Sequence, residues 1–185
     1  MNSRREQLVI DYNNNKIVNL EVFLDNVWDP HNIAAGSRIC DALGVNIVHL
    51  YTTYNKYTNP AKVGAKSSSS ANKWLKYNRV EDLKSFVEQK KQIGYRFIGT
   101  TLAKNSYRLD KFTFPEKIIL ILGNEKQGIS PEIAEICDNT IYIPMVGMVE
   151  SFNISVAASI CLYEVFKQKG SALQMRSEYN FGQRG

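Results

Sequence analysis

The run Lys117–Leu122, KIILIL, constrains the fold of this chain more than any other segment. A strand with one wet face alternates apolar and polar residues. A near-continuous apolar run of this length is typical of a parallel strand covered on both faces. The flanking signals agree, because strand and helix patterns alternate along the whole sequence. Leu20–Val27 (LEVFLDNV) reads as a buried strand, and Asp29-Pro30 then opens a helix from about His31 to Leu43 that Gly44 stops. Asn46–Tyr51 is a second strand. A long polar loop runs from Thr52 to about Asn72, before a short strand at Trp74–Tyr77. Val80–Gln92 has helical periodicity, with Leu83, Phe86, Val87 and Ile93 on one side, and Tyr95–Thr101 is the next strand. After KIILIL come a short helix at Pro131–Cys137, a last strand at Thr140–Ile143 and a last helix at Ser151–Lys169. This order predicts an α/β fold with a mainly parallel sheet flanked by helices. The 185 residues suit one domain. Its expected limits are 20–169, with a short N-terminal extension (1–19) and a polar C-terminal tail (170–185).

Ligands of parallel sheets bind beyond the carboxyl ends of the strands. Three loops fall there: Asp25–Arg38, Gly123–Ser130 and Met145–Asn153. Thr100 ends a fourth strand on the same side. Ser151 and Asn153 stand at the mouth of the last helix, where backbone N–H groups are free and the helix dipole is positive. They serve equally well as helix caps, and both roles stay open at this point. With Asn32, Arg38 and Glu125 they form one constellation. Arg38 alone reads as a surface ion pair with Asp41, and Glu125 alone as a solvated carboxylate. Five such residues gathered in strand-end loops point instead to a site.

Several chemistries are excluded. Gly123–Ser130 (GNEKQGIS) misses the phosphate-binding G-x-x-x-x-G-K-[ST] because Ile129 stands where the lysine is needed. There is no G-x-G-x-x-G for a dinucleotide and no G-x-S-x-G elbow for a hydrolase. The only histidines are His31 and His49, and the three cysteines, Cys40, Cys137 and Cys161, are widely spaced. The expectation is reduced core thiols and no metal site. No apolar run is long enough to span a bilayer, and MNSRREQLVIDYNNN is too polar for a signal peptide, so a cytoplasmic protein is expected. The formal charge is +5, and its placement matters more than its size. From Tyr51 to Val80 there is no acidic residue, whereas Lys56, Lys62, Lys66, Lys73, Lys76 and Arg79 are interleaved with Tyr51, Tyr54, Tyr57, Trp74 and Tyr77. Lysines neutralise phosphates and aromatic faces stack on bases; the same window also reads as solvated loop lysines.

Three motifs in order carry a resemblance. They are Asn26–Gly44 (NVWDPHNIAAGSRICDALG), Ile121–Ser130 (ILGNEKQGIS) and Ile143–Ala157 (IPMVGMVESFNISVA), with Ser70–Trp74 (SANKW) between the first two. The chain resembles the SPOUT-superfamily, TrmH-type RNA ribose 2′-O-methyltransferases from about Leu20 to Lys169. It departs from them at Gly36-Ser37, where larger residues are usual, and at Phe152, where Leu is usual. Gly36 is therefore expected to mark a helix irregularity or close packing. The resemblance implies a deep trefoil knot in the C-terminal half, a homodimer, and S-adenosylmethionine held in the knot loops by Thr100, Gly123, Ile143, Met148 and Phe152. It implies that Arg38 acts on the ribose 2′-hydroxyl. Arginine stays protonated, so orientation and charge stabilisation are the roles expected of it, and the general base is left open. Asn32 and Glu125 would position substrate or Arg38, while Ser151 and Asn153 would join the cofactor loop to the active site. The implied partner is tRNA, modified at guanosine 18 of the D-loop, with Lys62, Lys66, Lys73, Arg4 and Arg5 touching the RNA. The short segment before the first strand, leaving no room for a separate RNA-binding domain, favours tRNA. The alternatives are a ribosomal-RNA ribose methyltransferase and a non-catalytic, knotted RNA-binding dimer.

Overall fold

The computed structural model describes residue 10 and residues 16–53 and 75–169. Its strands are β1 (Leu20–Asp25), β2 (Ile47–Tyr51), β3 (Lys76–Arg79), β4 (Arg96–Thr100), β5 (Tyr107–Arg108), β6 (Ile118–Leu122) and β7 (Asn139–Tyr142). Its α-helices are α1 (Pro30–Ala42), α2 (Leu83–Gln92), α3 (Pro131–Ile136) and α4 (Ile154–Lys169). The strands form one seven-stranded sheet in the order β3-β2-β1-β6-β4-β7-β5. All its pairings are parallel, so every strand delivers its carboxyl end to the same edge.

The apolar run behaves as expected. All five residues of β6 are buried between β1 and β4. Ile118, Leu120 and Leu122 enter one core with Ile33 and Cys40 of α1 and Ala158, Leu162 and Val165 of α4. Ile119 and Ile121 enter the other, with Phe23, Phe97 and Ile133, and Phe86 of α2 packs against it. Burial of this kind stabilises by roughly 1.5–3 kcal/mol per large side chain, which is why one strand can anchor both layers.

Element ends shift where polar side chains take over. α1 starts at Pro30 because Asp29 caps it, accepting from the His31 amide at 2.8 Å. α2 starts at Leu83, later than Val80, because Asp82 accepts from the Ser85 amide at 3.0 Å. α4 starts at Ile154 rather than Ser151, since Asn153 caps it. β3 is Lys76–Arg79 rather than Trp74–Tyr77; it is an edge strand, and its pairing with β2 begins at Lys76. Trp74 itself lies outside the described residues. Gly36 marks no break in α1 and no close packing among the described residues: the helix runs unbroken, and a Cβ there would meet none of them within 4 Å.

One charged cluster joins the sheet to α2, away from the carboxyl ends of the strands. The buried Glu21 lies 2.6 Å from His49 Nε2 and 2.6 Å from Lys90 Nζ. Burial pushes its carboxyl up; hydrogen bonds from His49 and Lys90 more than reverse this and leave it below the usual range. A lowered folded pKa adds stability above the unfolded value of about 4.3, lost as pH falls through the folded value. Glu21→Gln, which removes the counter-charge beside Lys90, is expected to lower the thermal midpoint at pH 7. Its deficit against wild type should narrow on acidification below about pH 4.3, as followed by circular dichroism melts. A deficit independent of pH would remove the charge from this account.

Candidate active site

The carboxyl ends of β4, β6 and β7 and the start of α4 enclose a cavity of about 420 Å³. That is within the roughly 300–1,000 Å³ of small-molecule sites. Its walls are Leu122, Ile141, Ile143, Phe152, Ile154 and Ala157, with Thr100, Thr101 and the 123–128 loop supplying polar groups. Four of the five residues expected to hold a cofactor line it: Thr100, Gly123, Ile143 and Phe152. Met148 does not; it projects from the turn between β7 and α4, fully exposed. Thr100 is also structural, since its hydroxyl donates to the Ile121 carbonyl at 3.0 Å and ties β4 to β6.

The loop after β6 folds back on itself. Asn124 and Gly128 exchange backbone hydrogen bonds of 2.9 and 2.8 Å. The return stroke passes so close to Gly123 that a Cβ there would lie 2.1 Å from the Gly128 carbonyl carbon and 2.2 Å from the Ile129 nitrogen. No residue with a side chain fits, which is the physical reason for glycine at this position.

Asn32 and Asn153 are joined at the cavity mouth to Glu125, the one of the three that lines the cavity. Asn153 donates from Nδ2 to Asn32 Oδ1 at 3.0 Å, and Asn32 donates from Nδ2 to Glu125 Oε1. These bonds join α1, the β6 loop and the entry to α4. Asn153 accepts at the same time from the Ser155 amide at 2.9 Å and its hydroxyl at 2.6 Å. Capping and site are therefore one arrangement: the cap fixes the amide that holds Asn32. Ser151 lines the cavity with an exposed side chain. Arg38 is exposed on α1 and is not among the cavity-lining residues. Arg4, Arg5, Lys62, Lys66 and Lys73 lie outside the described residues.

Beneath the mouth lie residues that the sequence pattern did not single out. Asp25, buried at the end of β1, accepts from the Ser130 amide at 2.5 Å and from Asn26 Nδ2 at 2.8 Å. Burial raises its pKa, and the bonds from Ser130 and Asn26 offset this only in part. Asn124 donates to the Asn26 carbonyl at 3.0 Å. Thr101, Leu102, Tyr142 and Cys161 complete the cavity wall; burial pushes the Cys161 thiol up to about 12, so it is an apolar wall group at neutral pH. A signal for Asn26 exists in the sequence: an amide closing an otherwise apolar strand at the functional end of the sheet.

Among the described residues no cluster of three or more His, Cys, Asp or Glu side chains could hold a metal, and no helix is long and apolar enough to cross a membrane.

A family profile described as the SpoU rRNA Methylase family matches residues 19–163. A tRNA (guanosine(18)-2′-O)-methyltransferase of Aquifex aeolicus is 38% identical over 150 residues, covering 81% of this chain and 70% of that protein. The protein of the same name from Escherichia coli K12 is 32% identical over 153 residues, covering 83% of this chain and 65% of its own length. The crystal structure of the A. aeolicus TrmH/SpoU tRNA modifying enzyme superposes with a TM-score of 0.83 at 33% identity, over 91% of this chain and 84% of that one. The SpoU methyltransferase AviRb of Streptomyces viridochromogenes, solved with AdoMet, superposes with a TM-score of 0.69 at 29% identity, over 82% of this chain and 58% of that one. With its parallel sheet, strand-end cavity and Asn32–Glu125–Asn153 cluster, the chain belongs to the SpoU methylase family, as the resemblance to TrmH-type enzymes predicts.

Proposed function

We propose that this protein methylates a ribose 2′-hydroxyl of tRNA, with S-adenosylmethionine as methyl donor and guanosine 18 in the D-loop as target. The observation that carries the reading is the Asn153–Asn32–Glu125 cluster at the mouth of the strand-end cavity. The names of the relatives support the substrate, and the AdoMet complex of AviRb supports the cofactor. The residues present fit that cofactor: apolar walls for an adenine ring, backbone groups of the 123–128 loop for polar edges, and the Glu150 carboxylate against positive charge. When bound, it supplies an electrophilic methyl group. The chain supplies the rest. Asn32 and Glu125 orient the attacking ribose, Ser151 and Asn153 hold the cofactor loop to the α4 entry, and Arg38 stabilises charge on the 2′-oxygen or an adjacent phosphate.

A homodimer belongs to this reading. Beside the cavity, and sharing Ile143 with it, an apolar groove of about 630 Å³ runs between α1 and α4, lined by Ile39, Leu43, Pro144, Ile160 and Tyr163. Val146, Met148, Val149, Val156 and Tyr163 are exposed on the turn before α4 and on α4 itself. A second copy seated there would cover this surface. The family's trefoil knot, a cytoplasmic site of action and RNA binding by Lys62, Lys66, Lys73, Arg4 and Arg5 complete the proposal.

Transfer of labelled methyl from S-adenosylmethionine to tRNA transcripts, with ribosomal RNA offered in parallel, tests it. One methyl is expected per tRNA, at guanosine 18, and none when that nucleotide is 2′-deoxy. Label confined to ribosomal RNA would favour the rRNA alternative, and no transfer or cofactor binding would favour a binding module. Run across a salt series, the same assay tests the lysines. Neutralising Lys62, Lys66 and Lys73 together should weaken binding and flatten its salt dependence. The slope should fall by about 0.7–0.9 for each RNA phosphate that no longer meets a lysine.

A further inference from the structure

Three cross-links join the segment 25–32 to the loop after β6. Asp25 takes the Ser130 amide, the Asn26 carbonyl takes Asn124 Nδ2, and Asn32 donates to Glu125. The first two are buried, and the third opens on the cavity mouth. Asn26 is the hub of the buried pair. Its φ is +54°, the left-handed region, where it is the only non-glycine residue among those described. Glycine would adopt this conformation more cheaply, so the side chain must be used. It is: Nδ2 donates to Asp25 at 2.8 Å, and Oδ1 accepts from the Thr53 amide at 2.8 Å and its hydroxyl at 3.3 Å. The Asn26 amide itself donates to the Tyr51 carbonyl at 2.8 Å. One fully buried residue thus ties the ends of β1, β2 and β6 together. Aspartate could not replace it, since it lacks the donor that faces Asp25. On the far side, Asn124 accepts from the Lys126 amide at 2.8 Å, which fixes the backbone on either side of Glu125.

Resting on the methyl-transfer reading, we propose that Asn26 is a positioning residue for the reaction. Through Asp25 and Asn124 it sets the spacing between the α1 entry and the β6 loop, and so holds Glu125 against Asn32. Asn26 is not among the cavity-lining residues, so its effect should appear in the transfer rate rather than in cofactor affinity. Misplacement of a reacting group by about 1 Å costs up to about 100-fold in rate.

The test is Asn26→Gly, which keeps the left-handed backbone and the carbonyl that takes Asn124, with Asn26→Asp as the second variant. Both should remain folded by circular dichroism and bind S-adenosylmethionine within about threefold of wild type, while single-turnover methyl transfer at saturation falls at least about tenfold. Because Asn26 acts through Glu125, the double variant Asn26→Gly/Glu125→Gln should be no slower than Glu125→Gln alone. Unchanged transfer in the folded variants, or losses that multiply in the double variant, would overturn the proposal. If the wild-type chain methylates no RNA, the functional reading fails by itself. Positioning is then read from the Asn32 side-chain amide resonance, which shifts in Asn26→Gly if Asn26 sets the pair and stays in place if it does not.

Discussion

Gly123→Ala is expected to abolish cofactor binding. The added methyl would sit 2.1 Å from one backbone atom and 2.2 Å from another, both on the return stroke of the same loop. Atoms of the main chain cannot rotate away as a side-chain tip can. The loop has to open, which breaks the Asn124–Gly128 exchange and moves the cavity wall that carries Glu125. Overpacking of this kind costs about 1–3 kcal/mol, so the sheet should survive at a lowered thermal midpoint. Calorimetry with S-adenosylmethionine should show affinity reduced by about 100-fold or more, the equivalent of about 3 kcal/mol. Gly147→Ala is the control, because a Cβ there meets nothing within 4 Å. Binding by Gly123→Ala within threefold of wild type would remove this loop from the cofactor site.

Arg38→Ala is expected to slow methyl transfer by about 100- to 1,000-fold, the usual loss on removing a group that stabilises developing charge. Cofactor affinity should stay within about threefold, since Arg38 is not among the cavity-lining residues. Arg38→Lys should recover only part of the rate, because lysine keeps the charge and loses the planar fork. Near-normal transfer by Arg38→Ala with intact cofactor binding would refute its role. A mixing experiment asks which subunit provides it. If Arg38 serves the partner's cavity, combining inactive Arg38→Ala and Glu125→Gln chains restores one intact site per mixed dimer and activity returns. If it serves its own cavity, the mixture stays inactive.

Much of this architecture was legible because apolar patterning reports directly on burial. KIILIL announced a strand covered on both faces, and β6 is buried throughout between two helical layers. Boundaries were harder, because they are set by single polar atoms: Asp82 and Asn153 each delay a helix by capping it. In the site, Asn32, Glu125 and Asn153, grouped from their strand-end positions and the family motifs, are joined by side-chain hydrogen bonds. Met148 stands apart from the cavity lining, and an apolar residue in a glycine-containing turn looks the same in sequence whether it faces a cavity or solvent. Asp25 and Asn124 stayed hidden, because a bond between residues 25 and 130 leaves no mark on local periodicity.

The strand order carries a consequence for how the molecule comes into being. β6 lies between β1 and β4 in the sheet, yet it is made after both of them. A nascent chain that has passed Thr100 therefore has β3-β2-β1 with an open edge at β1, and a lone β4 whose two sheet neighbours, β6 and β7, are still to be made. β4 cannot join β1 until residue 122 has left the ribosome, and the loop bearing Glu125 follows directly behind. Non-local parallel pairing of this sort is slow and leaves unpaired edges open to wrong partners in the meantime. A chain that stalls before β6 has no central strand to join β4 to β1, so it is a natural substrate for chaperones or proteases rather than a partly active enzyme.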